Sequence, residues 1–157
     1  MRSATHEFSR RRLFGLVGGT AATVALSVLL GTPARADLAA VQKLIAKIAG
    51  DRKIQEGRIT LDAPEIAENG NTVPIAVEVD SPMTEDDYVK TVHVFAAGNP
   101  RPEVATFYFT PRNGIAAAST RIRLAKTQKI FAIAEMSDGS LYMTSREVKV
   151  TIGGCGG

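Results

Sequence analysis

The residue with the clearest chemistry in this chain is Cys155, the single cysteine, which lies between two pairs of glycines at the carboxyl terminus. A thiol can act as a nucleophile, a redox group or a point of covalent attachment. Glycine has no side chain and wide backbone freedom, so Gly153, Gly154, Gly156 and Gly157 predict a flexible, exposed arm that is slender enough to enter a narrow pocket of another protein. Folded domains normally avoid an exposed free cysteine. The pattern therefore indicates that the thiol is the functional group.

The sequence around the thiol supplies no group that would activate it. A catalytic cysteine needs a nearby base, cation or helix amino terminus, and the nearest cation in sequence is Lys149. His93, the one histidine beyond residue 36, falls in a predicted strand. A hydrogen-bonded sheet histidine is its expected role, and a Cys–His dyad is the alternative. We predict that Cys155 carries groups loaded by other proteins and that the chain is not an enzyme.

Other candidate sites have weaker support. One histidine and one cysteine cannot by themselves form a zinc or haem site, so we predict no metal. The acidic residues 85–87 lack the alternating spacing of a calcium loop, which favours a solvated turn over a calcium site. Four cations lie close together in sequence and form either a solvated strand face or an anion-attracting docking patch: Arg121, Arg123, Lys126 and Lys129.

The amino-terminal segment is typical of a bacterial export signal. The arginines of residues 10–12 precede an uncharged apolar stretch over residues 13–31, and Ala34-Arg35-Ala36 follows as a small-x-small cleavage site. The arginine pair points to the twin-arginine route. A retained membrane anchor is the alternative, but the glycines and threonines of the stretch make it only weakly hydrophobic. We predict a cleaved signal over residues 1–36, a periplasmic product and no membrane anchor after cleavage.

Removal of that signal changes the charge of the chain. It takes away five of the 19 basic groups and one of the 16 acidic groups, which leaves 14 and 15 and a net charge of −1. A nearly neutral product without a basic stretch gives no electrostatic basis for nucleic-acid binding.

The remaining chain reads as one short helix followed by strands. Apolar residues recur at helical spacing over residues 39–49, and Gly50 ends the run. Beyond it the period changes to two, with turn signals that include the Asp138-Gly139 pair of a tight hairpin. We predict an all-β fold: an immunoglobulin-like antiparallel β-sandwich of about seven strands over residues 37–152, preceded by the helix and followed by the arm of residues 153–157.

Taken together, the export signal, the helix, the β-domain and the Gly-Gly-Cys-Gly-Gly tail resemble the SoxY family of sulfur-carrier subunits. The tail is the specific motif of this resemblance. Two internal stretches are also similar to that family: Glu68-Asn69-Gly70-Asn71-Thr72-Val73-Pro74 and Gly98-Asn99-Pro100-Arg101-Pro102.

The resemblance implies that Cys155 is the covalent attachment point in periplasmic thiosulfate oxidation. A c-type cytochrome would join thiosulfate to the thiol as an S-thiosulfonate, a hydrolase would release sulfate, and a sulfane dehydrogenase, where present, would oxidise the remaining sulfur. The resemblance also implies a heterodimer with a SoxZ-like β-sandwich subunit. No cofactor is expected beyond the sulfur adducts on Cys155.

Two further interpretations come from other functional classes. One is a structural or adhesive exported β-sandwich whose terminal cysteine forms an intersubunit disulfide. The other is a periplasmic thiol oxidoreductase, which the absence of a Cys-x-x-Cys pair disfavours.

Overall fold

The chain is described over residues 33–154 in a computed structural model, with side chains from residue 38 onward. This part of the chain contains one α-helix, one short 3-10 helix (Pro111–Asn113) and nine strands. Their bounds are α1 Pro33–Ala49, β1 Ile54–Gln55, β2 Ile59–Asp62, β3 Ile66–Asn69, β4 Val73–Val79, β5 Val89–Ala96, β6 Glu103–Tyr108, β7 Ala116–Ile122, β8 Gln128–Met136 and β9 Leu141–Ile152. The region predicted as signal peptide lies mostly outside the described residues, as do residues 155–157.

The strands form two sheets that face each other. The larger sheet has six strands in the order β1-β9-β8-β5-β6, with β3 added beside β9, and the smaller has the order β2-β4-β7. All pairings are antiparallel except those of β1 and β3, which run parallel to β9. The predicted immunoglobulin-like β-sandwich is confirmed.

The core lies between the sheets, where alternate residues of facing strands meet. Strand β4 buries every second residue from Val73 to Val79, and β5 contributes Val92 and Val94 from the opposite sheet. A second, smaller cluster forms where α1 packs on the outer face of the larger sheet. Its buried residues are Val41, Ala49, Phe95, Ala97, Ile133 and Leu141.

Helix α1 confirms the predicted amphipathic pattern but begins six residues earlier than residue 39. Pro33 is tolerated at the first helical position because its missing N–H would be unpaired there in any case. The helix ends where the sequence predicts, since Gly50 adopts a positive φ of 55° and donates its N–H to the carbonyl of Ala46 at 2.9 Å. The apolar stripe packs on the protein's own sheet.

Strand β8 shows why its sequence is a nearly unbroken apolar run. It lies between β9 and β5 in the larger sheet. One of its faces lines the core between the sheets through Ala132 and Ala134, and the other faces α1 through Ile133. A strand that is covered on both faces has no position for an alternating polar residue. The prediction of a central strand is confirmed.

Two strands were absent from the sequence prediction. Strand β1 has only two residues, and β3 buries only Ala67 of its four. Neither carries an alternation that a sequence pattern could detect. Strand β3 also changes the interpretation of residues 68–71, because Glu68 and Asn69 belong to a strand beside β9 and the turn begins at Gly70.

Several loops lie at the end of the sandwich where β9 ends. Pairing of Asn69 with Ile152 brings the turn after β3 to this end. Pairing of Val73 with Ile122 brings the end of β7 to the start of β4. The β5–β6 and β7–β8 connections lie here too, since Ala96 pairs with Ile130 near the start of β8.

Candidate functional site

The chain leaves β9 between two loops that hold it by backbone hydrogen bonds. Gly70, in the turn after β3, donates its N–H to the carbonyl of Ile152 at 2.8 Å and accepts from the N–H of Leu124 at 2.7 Å. The carbonyl of Leu124 in turn accepts the N–H of Gly154 at 2.9 Å. We call this arrangement of Gly70, Leu124 and Gly154 the tail clasp. It grips the residue that immediately precedes Cys155.

The tail clasp depends on the absence of side chains at its glycines. A Cβ atom on Gly70 would overlap the carbonyl oxygen of Leu124 and would lie 2.6 Å from the nitrogen of Gly154. A Cβ atom on Gly154 would lie 2.8 Å from the carbonyl oxygen of Gly70. Both glycines are buried, and the obstructing atoms belong to the backbone. The three segments can approach this closely only because two of them have glycine, without a Cβ atom, at the point of contact.

These contacts differ from the predicted free arm of residues 153–157 at its first two residues, Gly153 and Gly154. Gly154 is buried and hydrogen-bonded, and Gly153 passes so close to the Ala125 carbonyl that a Cβ atom there would overlap it. The glycines at these two positions therefore permit close backbone packing. Cys155, Gly156 and Gly157 lie outside the described residues, so their roles stay predictions.

A polar network braces the loop that carries Leu124. Asn99, in the β5–β6 turn, donates from Nδ2 to the carbonyl of Arg123 at 2.7 Å, and its Oδ1 accepts the N–H of Ala125 at 3.0 Å. The same Oδ1 accepts a hydrogen bond from Nε2 of Gln128 at 2.9 Å. Asn99 therefore holds the backbone on both sides of Leu124.

Gln128 completes the brace from the first position of β8. It is the one buried polar side chain among the described residues, with 7% of its surface exposed. Its Oε1 accepts the N–H of Gly98 at 2.6 Å, and its Nε2 donates to the carbonyl of Lys126 at 3.0 Å as well as to Asn99. Thr127 links the same loop to β9, because its Oγ1 accepts the N–H of Val150 at 2.9 Å. Every polar atom of the buried amide has a partner, as burial requires.

Sequence reasoning singled out Cys155 but missed Leu124, Thr127 and Gln128 as parts of the clasp at Gly154 and of the loop that forms it. Gln128 left a weak signal, since it is a polar residue at the start of an otherwise apolar strand. Leu124 takes part only through its backbone, which no residue pattern reveals.

The four clustered cations are all exposed, and each has different surroundings. Arg121 lines an open groove of about 720 Å³ on the smaller sheet together with Arg146, Asp62 and Glu65, where the charges balance. Arg123 takes part in the brace through its carbonyl. Lys126 lies along Gly98, and Lys129 lies opposite Glu147 in the register of β8 and β9.

The other candidate residues have structural contacts. The His93 ring stacks on Phe95 at 6.3 Å and lies 3.4 Å from Oγ1 of Thr106. Burial lowers the pKa of His93, and the nearby carboxylates of Glu135 and Glu103 oppose this effect. These contacts are those of a sheet histidine.

In the acidic loop, Asp87 forms an ion pair with Arg58 at 3.2 Å. Within residues 33–154 no group of three or more His, Cys, Asp or Glu side chains could hold a metal ion. Among the described helices, none has the length and apolarity needed to cross a bilayer.

Comparison with known protein families identifies the family of this chain. A family model described as sulfur oxidation protein SoxY matches residues 45–155, which include the tail clasp, the brace and Cys155. The chain belongs to the SoxY family. Both internal stretches that resembled this family in sequence contribute to the structure that holds Gly154. Residues 68–74 supply Gly70 of the clasp, and residues 98–102 supply Asn99 of the brace.

Solved structures agree with SoxY membership. The sulfur carrier protein SoxY from Chlorobium limicola f thiosulfatophilum is 38% identical, with a TM-score of 0.60 over 71% of this chain and 96% of that chain. A superoxide reductase (neelaredoxin) from Ignicoccus hospitalis is 18% identical, with a TM-score of 0.54 over 60% of this chain and 80% of that one. At that identity the second likeness shows the fold alone. A comparison with curated protein sequences found no match.

Proposed function

We propose that this chain is a covalent sulfur carrier of the thiosulfate-oxidising system and that Cys155 is its attachment point. The observation that carries the proposal is the SoxY family match, which covers residues 45–155 and so includes all nine strands and Cys155. A second support is that the structure holds the chain at Gly154, one residue before the thiol, at the end of the sandwich. The domain thus serves as the base from which the thiol is offered to other proteins.

The chemistry proposed at Cys155 is oxidative joining followed by hydrolysis. The thiol loses its proton, and its sulfur forms a bond to the outer sulfur of thiosulfate. Two electrons leave to an acceptor, which we propose is a c-type cytochrome. The product is a cysteine S-thiosulfonate. Water then attacks the terminal sulfonate group, so sulfate and a proton are released and a persulfide remains on the cysteine.

Partner proteins perform these steps in the proposal, and the chain contributes no catalytic group. A hydrolase would remove the sulfate, a sulfane dehydrogenase would act on the persulfide where it is present, and a SoxZ-like β-sandwich would form the heterodimer. The absence of an activating group near Cys155 in sequence supports this division of labour. We also propose a periplasmic location, with export by the twin-arginine route, on the basis of residues 1–36.

The test is the intact mass of the protein isolated from thiosulfate-grown cells, measured before and after mild reduction. We expect a reducible mass increase that peptide mapping assigns to Cys155 and that matches a thiosulfonate or added sulfur. The Cys155→Ser variant should lack the adduct and keep the wild-type free energy of unfolding within about 0.5 kcal/mol. An adduct on the serine variant would refute the assignment of the site.

The same measurement separates the carrier from the structural alternative. A bare thiol, or only a protein–protein disulfide at Cys155 during active thiosulfate oxidation, would refute the carrier and support a cross-linking role. Electrophoresis without reductant shows whether a disulfide-linked species is present.

A further inference from the structure

We propose that Gly70 and Asn99 are positioning residues for the thiol, because the tail clasp and its brace fix Gly154, to which Cys155 is joined. The inference rests on the proposed carrier function and extends it, because it names the residues that position the thiol. The clasp and the brace themselves consist of described residues, and they make Gly154 a fixed point of the chain.

The first argument is the pairing of the clasp groups. The N–H of Gly70 bonds to Ile152, and its carbonyl bonds to Leu124. The N–H of Leu124 bonds to Gly70, and its carbonyl bonds to Gly154. Each buried backbone group that loses its partner leaves a desolvated donor or acceptor, which is costly. The clasp therefore forms and opens as a unit.

The second argument is the brace. The loop that carries Leu124 has no sheet partner of its own at this point, since β7 ends at Ile122 and β8 begins at Gln128. In place of strand-to-strand hydrogen bonds, the side chain of Asn99 bonds to the carbonyl of Arg123 and to the N–H of Ala125. Because these two residues flank Leu124, a change at Asn99 moves the carbonyl that holds Gly154.

The third argument is the consequence for the thiol. With Gly154 held, the Cα atom of Cys155 lies one trans peptide, about 3.8 Å, from a fixed Cα atom. If the chain were released up to Ile152, the same atom would lie up to about 10 Å from its last anchor. The closed clasp thus leaves one peptide, instead of three, between the thiol-bearing residue and its last anchor.

The test uses the fact that Cys155 is the single cysteine, so a nitroxide reagent labels the purified full chain at one position. Electron paramagnetic resonance then reports the motion of that label. We expect a slow-motion component in the wild type and its loss in Gly70→Ala and in Asn99→Ala, although both substitutions lie far from the label in sequence. The matched control is Gly114→Ala, because Gly114 has a positive φ of 71° but open space at its Cβ position.

Amide hydrogen exchange gives a second readout that needs no label. The Gly154 amide should exchange about tenfold faster in Gly70→Ala than in the wild type, as expected for loss of one hydrogen bond. The Gly114→Ala variant should keep the wild-type rate at Gly154. If Gly70→Ala does not fold, Asn99→Ala provides both readouts.

Two results would overturn the inference: a wild-type label as mobile as in the urea-unfolded chain, or unchanged spectra and unchanged Gly154 exchange in both clasp variants. Neither readout involves sulfur chemistry, so the outcome is independent of the proposed function. A loaded Cys155 with no clasp signal would refute the positioning role alone. A clasp signal with no sulfur adduct would refute the carrier alone.

Discussion

The nitrogen of Gly154 lies only 2.6 Å from the position that a Cβ atom on Gly70 would occupy. The two residues are far apart in sequence, and their segments can come this near only because neither residue has a Cβ atom. Gly70 belongs to a stretch that resembles the SoxY family, and Gly154 belongs to the tail motif. Their contact joins these two signatures into one structural unit.

The clasp predicts that Gly70→Ala destabilises the domain. The new methyl group meets the Leu124 carbonyl and the Gly154 nitrogen, and backbone atoms cannot move aside as a flexible side chain can. We expect a loss of about 1–3 kcal/mol in the free energy of unfolding, which is typical of overpacking. Urea denaturation measures it. A free energy of unfolding unchanged from the wild type would contradict the close approach.

The brace predicts a graded response at Asn99. Asn99→Ala removes three hydrogen bonds and should cost about 2–3 kcal/mol. Asn99→Asp keeps an acceptor for Ala125 and Gln128 but loses the donor to the carbonyl of Arg123, so its free energy of unfolding should fall between those of alanine and wild type. Thermal or urea unfolding of the series measures this order. Equal losses for Ala and Asp would show that the acceptor contributes nothing.

The tail motif predicts that a narrow chain is needed beyond the thiol. Gly156→Val should reduce sulfate release by the partner enzymes while the free energy of unfolding changes by less than about 0.5 kcal/mol. Gly156→Ala, with a smaller side chain, should have a smaller effect. The measurement is the rate of sulfate release from a reconstituted system. Wild-type release by the valine variant would count against entry of the tail into a narrow pocket.

His93 predicts a stability change near neutral pH. Burial lowers its pKa in the folded state, partly opposed by Glu135 and Glu103, whereas the unfolded value is about 6.5. The unfolded chain therefore binds the proton more readily, so stability is fully present above the unfolded pKa and is lost as pH falls through the folded pKa.

The measurement for His93 is urea unfolding at about pH 7.5 and about pH 5.5, on either side of the unfolded pKa. We expect the difference between the two pH values to be smaller in His93→Gln than in the wild type. A wild-type pH dependence in the variant would assign the effect to other groups.

Local pattern was enough for much of this fold. The Asp138-Gly139 hairpin was predicted from the dipeptide alone, and Gly139 has a φ of 85° with Asp138 accepting the N–H of Ser140 at 2.8 Å. The alternation from Val73 to Val79 correctly predicted a strand with one buried face. These features depend on residues that are neighbours in sequence, where side-chain type and backbone conformation are directly linked.

The sequence by itself determined the sandwich, the amphipathic helix and the SoxY tail motif, because burial and turn formation depend on residue type. Only the tertiary structure decided that Gly154 is held by Leu124, that Asn99 braces that loop, and that β1 and β3 run parallel to β9. The physical reason is that these contacts join distant segments, largely through backbone N–H and C=O groups that every residue but proline carries in full. Residue types therefore do not show which of these backbone groups will bond to each other.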